Sequence, residues 1–310
     1  MILTVTLNPS IDIAYQLPAL HLDAVNRALE THKTPGGKGL NVTRVLKDSG
    51  DAVKATGLLG GKTGEYLLDQ LTLAGIPTAF YPIQDDTRNC IAILHEGKQT
   101  EILEAGPLVS AEEYCGFVKH FASLVKTSNA VVISGSPARG IPANCYARLT
   151  AIAKEANIPV ILDCSGLPLK EALGPQGKPY AIKPNTDELR DLLGKEIPKD
   201  PRTLKEVLLD PLFDGICWII VSLGKDGCFA RHNHNFYHVQ IPKISVVSPV
   251  GSGDSTVAGI ASGIVHRMCD EDLLRHANTL GMLNAQEKET GRVNMDHYQA
   301  LFSKITVTKV

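Results

Sequence analysis

The chain has 310 residues, 44% hydrophobic and 21% charged, with 31 Lys and Arg against 33 Asp and Glu for a formal charge of −2. This balance, without any block of like charge, excludes the broad phosphate-neutralising surface of a non-specific nucleic-acid binder. No apolar run approaches the roughly 20 residues that span a bilayer, and no secretory signal opens the chain, so a cytoplasmic protein without a membrane partner is expected.

In chain order, the first predicted strand is 1–7 (MILTVTL), and residues 11–34 follow with short extended runs but no helix. A helical pattern over 38–49, a strand over 53–59 and a helix over 64–74 come next. Residues 79–104 are again extended, with His95-Glu96-Gly97-Lys98 as a hairpin turn joining Cys90–Leu94 to Thr100–Leu103. Beyond them lie helix 111–126, strand 129–134, helix 143–156, strands 159–163 and 180–183, helix 185–193 and strand 217–222. The last third turns helical from Gly253 to His266 and from Glu271 to Glu287. Alternating strands and helices predict an α/β fold with a mainly parallel sheet, and the near-wholly apolar strands suit burial on both faces. Residues 11–34 and 79–104 predict a small antiparallel sheet, an insertion on one domain spanning 1–310. The seven cysteines are scattered and odd in number, so neither a disulfide framework nor a zinc site is expected.

Familiar nucleotide signatures fail. Gly57-Leu-Leu-Gly-Gly-Lys-Thr63 lacks the first Walker glycine, because position 56 is Thr56, and Val42 and Thr256 stand where a dinucleotide fingerprint needs its last glycine. Two other glycine clusters carry more. Pro35-Gly36-Gly37-Lys38-Gly39-Leu40-Asn41 opens a helix, its glycines allowing close backbone approach while Lys38 offers a point charge to phosphate; a solvated turn is the bland alternative. Gly251-Ser252-Gly253-Asp254 opens a small apolar helix, where backbone N–H groups and the helix dipole favour an anion. Asp254 is then either an ordinary N-cap or a base that takes a proton from an attacking hydroxyl. Asp12 follows the first strand, where loops collect ligands, or else is a turn carboxylate. Asn185 and Glu188, one turn apart after a strand, could face hydrated magnesium or form a capping box.

Together, GGKGLN at 36–41 and PVGSGDSTVAG at 249–259 resemble the two signatures of the ribokinase-like, or PfkB, carbohydrate kinases, with TLNPSID, SGS at 134–136, KPNTDE at 183–188 and SLGKDG at 222–227 in the order that family shows. Within it, RNCIAILHEGKQTEILE at 88–104 is similar to the branch acting on tagatose 6-phosphate in lactose metabolism. Ser248, where members commonly carry Asp or Asn, and Ala138-Arg139 depart from the pattern. The resemblance implies a ribokinase-like three-layer fold with a small β lid, and ATP- and Mg2+-dependent phosphorylation of D-tagatose 6-phosphate to the 1,6-bisphosphate; the alternative is fructose 1-phosphate. It further implies Asp254 as general base and Gly251, Ser252 and Gly253 on the moving phosphoryl group. Asp12, Gly36, Gly37, Lys38, Asn41, Arg88, Cys90 and Ser136 would contact the sugar phosphate. Lys183, Asn185, Ser222, Gly224, Gly227 and Asn284 would contact ATP, with Asn185 and Glu188 toward magnesium through water. A monovalent cation and a homodimer formed through the lid complete the expectation.

Overall fold

A computed structural model describes residues 1–175 and 177–310. In chain order the elements are β1 (Ile2–Thr6), β2 (Ser10–Leu17), β3 (Glu30–Gly36), α1 (Lys38–Asp48), β4 (Val53–Gly60), α2 (Gly61–Leu73), β5 (Tyr81–Ile83), β6 (Arg88–His95), β7 (Lys98–Leu103) and α3 (Ala111–Val125). There follow β8 (Ala130–Ser134), α4 (Cys145–Glu155), β9 (Val160–Asp163), α5 (Gly166–Ala172), β10 (Ala181–Ile182), α6 (Thr186–Leu193), α7 (Pro201–Leu208) and β11 (Trp218–Ser222). Strands β12 (Cys228–His232) and β13 (Asn235–Gln240), helices α8 (Ser252–Val265), α9 (Asp270–Ala285) and α10 (Tyr298–Phe302), and β14 (Thr306–Lys309) end the chain.

Ten strands form one sheet in the order β14-β13-β12-β11-β10-β9-β8-β1-β4-β5, parallel from β5 to β11 and antiparallel over β12–β14. Strand side chains alternate between its faces. Leu3, Val5, Val131, Ile133 and Leu162 pack against the side covered by α3–α7, while Ile2, Val132 and Ile161 pack under α1, α8 and α9. Both faces are thus apolar, and the three-layer α/β architecture follows.

A second, four-stranded sheet has the order β3-β2-β6-β7. It is built from two antiparallel pairs, β2 with β3 and β6 with β7, joined through a parallel β2–β6 pairing. The β6–β7 turn is the one read from the sequence: Glu96 and Gly97 both take positive φ, 50° and 70°, as a two-residue hairpin requires. One boundary needs correction. Residues 81–83 do not join this small sheet; they pair with β4 as the edge of the large one, held there by the Ala55–Thr78 bridge and the Ala79 backbone. Ile11, Ile13, Leu40, Leu67 and Leu71 form a separate apolar cluster that seats the small sheet on α1 and α2. The seven cysteines are all free, and no described helix is long and apolar enough to cross a membrane.

Helix α8 carries the second glycine motif, and its position depends on close contact with α9. A Cβ built on Gly259 would lie 2.5 Å from the Ala277 Cα, backbone that cannot swing aside. Gly259→Ala should therefore push the helices apart, costing about 1–3 kcal/mol despite the better helix propensity of alanine. Thermal unfolding checks this, and a variant as stable as the parent would refute the packing argument.

Candidate active site

The parallel strands end at one edge of the large sheet, and the sequence motifs gather there. Ser134 closes β8, Asp163 closes β9, Lys183 follows β10, and α1 and α8 bring in Lys38, Asn41 and Asp254. The buried Lys183 ammonium lies 3.4 Å from Asp163 Oδ1, and Ser134 Oγ donates to Asp163 Oδ2 at 3.1 Å. Asp163 was not singled out as a site residue from the sequence. Its signal was an aspartate at the end of an apolar strand (VILD), a position that ligands favour in such sheets.

Of the two roles open to Asp254, the structure removes that of N-cap. The N-cap of α8 is Gly251, in the left-handed region at φ 83°, and Asp254 is the third helical residue, making no cap bond. Its carboxylate is buried and instead accepts a hydrogen bond from Asn41 Nδ2 at 2.6 Å, across 213 residues of sequence. Burial, then the like charge of Asp163, push its pKa from 3.8 to about 6, against the opposing pull of the Asn41 bond, Lys38 and Lys183. Lys38 opens α1, exposed to solvent, yet Asp163 foremost holds its pKa above the ordinary lysine value, with Asp254 and Glu188 adding to the effect.

The helix mouth beside Asp254 suits an anion. Gly253 is exposed in the first turn, the Lys183 ammonium sits 3.5 Å from where its Cβ would be, and among the described residues no backbone acceptor pairs with the Gly253 or Asp254 N–H. Gly251 is required twice over. It takes positive φ, and a Cβ there would meet Thr290 Cγ2 at 2.5 Å.

Facing this cluster, the small sheet presents Ser10, Asp12, Arg88 and Cys90 in register, Ser10 opposite Arg88 and Asp12 opposite Cys90. Asp12 is therefore in strand β2, not in the loop expected from its place after the first strand. Ser10 Oγ donates to its Oδ1 at 2.7 Å, and burial raises its pKa against the opposing influence of Ser10, Arg44 and Arg88. Gly36 must be glycine because a Cβ would overlap the Asp12 carboxylate. Arg88 donates to the carbonyls of Glu104 at 3.0 Å and Asn8 at 3.3 Å, leaving its buried Nε without a partner. It lines a cavity of about 440 Å³ together with Thr87, Asn89, Gly106 and Arg139. Arg139, whose role the sequence left open, thus joins Arg88 around one space, while Ser136 is exposed beyond β8.

The expected nucleotide residues divide. Ser222 and Asn185 are bridged at adjoining strand ends, and the exposed Gly224 follows. Asn185 and Glu188 form the capping box: Glu188 N–H donates to Asn185 Oδ1 at 2.8 Å and Asn185 N–H to Glu188 Oε2 at 3.0 Å, using one side-chain oxygen of each. Gly227 is buried, and its positive φ and the approach of the Val239 carbonyl account for the glycine without a ligand. Asn284 departs from its expected nucleotide contact. It has no exposure, its Oδ1 accepts from Ser255 Oγ and Gly291 N–H, both at 2.9 Å, and its Nδ2 donates to the Val250 carbonyl at 2.9 Å. It holds the glycine loop from beneath.

With this geometry in place, comparison with known proteins is decisive. The model of the pfkB family carbohydrate kinases matches residues 5–296. The chain belongs to that family. It is an ATP-dependent sugar kinase. A Staphylococcus aureus protein described as a candidate phosphofructokinase is 31% identical over 100% of this chain and 99% of its own, with a TM-score of 0.87. Escherichia coli phosphofructokinase-2, crystallised with potassium, is 27% identical over 97% and 98%, TM-score 0.89. A candidate 1-phosphofructokinase from Thermotoga maritima is 25% identical over 100% and 99%, TM-score 0.86.

A carboxyl with a pKa of about 6, such as that of Asp254, is mostly ionised only above that pH. The acidic limb of kcat/KM should therefore have its midpoint near pH 6 and fall about tenfold per unit below it. A profile flat down to pH 5 would contradict the placement of Asp254 among Asp163, Lys38 and Lys183.

Proposed function

We propose that this kinase transfers the γ-phosphoryl group of ATP to the 1-hydroxyl of D-tagatose 6-phosphate. The observation that carries the reading is Asp254, a buried carboxylate freed from any capping duty and set in the first turn of α8. A primary hydroxyl placed beside it loses its proton to the carboxylate as the new O–P bond forms. Backbone N–H groups of the Gly251-Ser252-Gly253 turn, with Lys183 alongside, neutralise charge on the phosphoryl oxygens. Asp254 then carries the proton until the product leaves.

On the sugar side, Asp12 and Asn41 accept and donate hydrogen bonds to hydroxyls beside the Gly36-Gly37 backbone, and Cys90 and Ser136 border the pocket. Lys38, Arg88 and Arg139 hold the existing phosphate, the two guanidiniums with paired donors. On the other side, Ser222, Gly224 and Asn185 border ATP. Magnesium would be held chiefly by phosphates and water, with Glu188 reaching it through water. Magnesium bound in that way would spread the phosphate charge. A monovalent cation near the 248–251 loop fits the potassium found in the E. coli relative. The cytoplasm is the setting we infer for a sugar-phosphate substrate.

The second reading is phosphorylation of fructose 1-phosphate, favoured by the likeness to the Thermotoga candidate. An ADP-release assay over tagatose 6-phosphate, fructose 6-phosphate, fructose 1-phosphate and free ketohexoses separates them. Tagatose 6-phosphate should give the highest kcat/KM, and preference for fructose 1-phosphate would transfer the assignment. In the same assay Asp254→Asn should lose about 10²- to 10⁴-fold in turnover with both ligands still bound.

The small sheet also supports a homodimer. Leu22, Val25 and Leu29 beside it are 87%, 79% and 70% exposed, and β3 and β7 leave free strand edges. Pairing would cover them. Light scattering should give twice the chain mass at micromolar concentration, and a single chain mass would refute the dimer.

A further inference from the structure

Arg44 lies two turns into α1, where the sequence LNVTRVLK gives no sign of a function. It is buried but forms no ion pair within 4 Å among the described residues. Its guanidinium donates to three oxygens instead: the Pro35 carbonyl, the Thr290 carbonyl at 3.1 Å, and Asn41 Oδ1 at 2.6 Å. Burial draws its pKa down to about 10, so it stays a cation at neutral pH.

The third bond has a consequence for the base. A guanidinium only donates, and an ionised carboxylate only accepts. Asn41 stands between the two, and a single orientation of its amide satisfies both: Oδ1 toward Arg44, Nδ2 toward Asp254. The flipped amide would set N–H against N–H on one side and two oxygens together on the other. We propose that Arg44 is a positioning residue for the kinase reaction, locking the Asn41 amide so that it can only donate to Asp254 and thereby keeps that carboxylate charged and aimed. The same guanidinium ties the Pro35 carbonyl, next to the first glycine motif, to Thr290, which packs on Gly251. One cation thus sets the spacing of the substrate loop, the base and the phosphoryl loop.

This inference rests on Asp254 being the base. The groups facing Asp254 are Asp163, Asn41, Lys38 and Lys183, and those around Arg44 are Asp12, Asp48, Asp254 and Arg292. Only Asn41 bonds both residues directly.

The test is a double-mutant cycle on kcat/KM across pH, with Arg44→Lys, Asn41→Ala and the pair, and Asp254→Asn as reference. Without the lock, the donated bond is lost for part of the time, and the acidic limb should move up by about one pH unit, the sign expected when a charged form loses a hydrogen bond. Turnover at pH 7.5 should fall by roughly tenfold or more, within the general-base contribution, while the KM for ATP stays within about twofold. In the Asn41→Ala background, Arg44→Lys should add little, because its route to Asp254 is already gone. Additive losses, or an unmoved limb, would overturn the proposal. So would the loss of cooperative thermal unfolding in Arg44→Lys, which would make the residue a structural cation. Full turnover in Asp254→Asn would instead remove the base, a separate failure.

Discussion

Two carboxylates buried at one end of a sheet set the terms for this structure. Asp163 and Asp254 repel each other in a medium that stabilises charge poorly, and each survives only through partners. Asp163 takes the Lys183 ammonium and the Ser134 hydroxyl. Asp254 has no ion-pair partner within 4 Å among the described residues; a side-chain amide and the more distant Lys38 and Lys183 balance it incompletely. Its folded pKa of about 6 against an ordinary 3.8 means the folded chain binds the proton more readily than the unfolded one. Ionisation at neutral pH thus costs about 3 kcal/mol of stability, absent below about pH 4 and fully present above about pH 6. A carboxylate whose pKa is near 6 is a stronger base than one whose pKa is near 4, which is the property the proposed reaction needs.

The surrounding packing serves to keep that carboxylate in place. Gly259 lets α8 lie against α9, Asn284 braces the loop before α8, and Gly36 makes room for Asp12 on the opposing sheet. Each of these glycines meets backbone or a polar side chain where a methyl group would stand. The small sheet rests on its own apolar cluster of Ile11, Ile13 and Leu40, apart from the two cores of the large sheet.

How much of this was legible in the sequence depends on whether a residue's partners are local. AVVIS, VILD and WIIV are read as strands because burial on both faces leaves them apolar up to their last residues, where Ser134 and Asp163 turn to the site. The later strands are hidden: β12 carries Arg231, which is buried only because the carbonyls of Leu208, Phe213 and Ile216 accept its N–H groups, and β14 finds β13 after 65 intervening residues. The glycine motifs are legible because tight turns and close approaches demand glycine locally, and both lie at the same sheet edge. The N-cap reading of Asp254 could not be removed from the sequence, because the residue that holds its carboxylate, Asn41, lies 213 residues away. Arg44 passes for a solvated helix residue for the same reason, with acceptors at positions 35 and 290.

The proposed chemistry turns on the ionisation of one side chain, Asp254. Rate profiles report it indirectly, since phosphate monoesters also titrate with a pKa near 6. Carbon-13 NMR of the free enzyme labelled at aspartate carboxyls, with Asp254→Asn to assign the resonance, reads it without substrate. A midpoint near pH 6, matching the acidic limb of kcat/KM, is the predicted result; a midpoint near 4 would contradict the account.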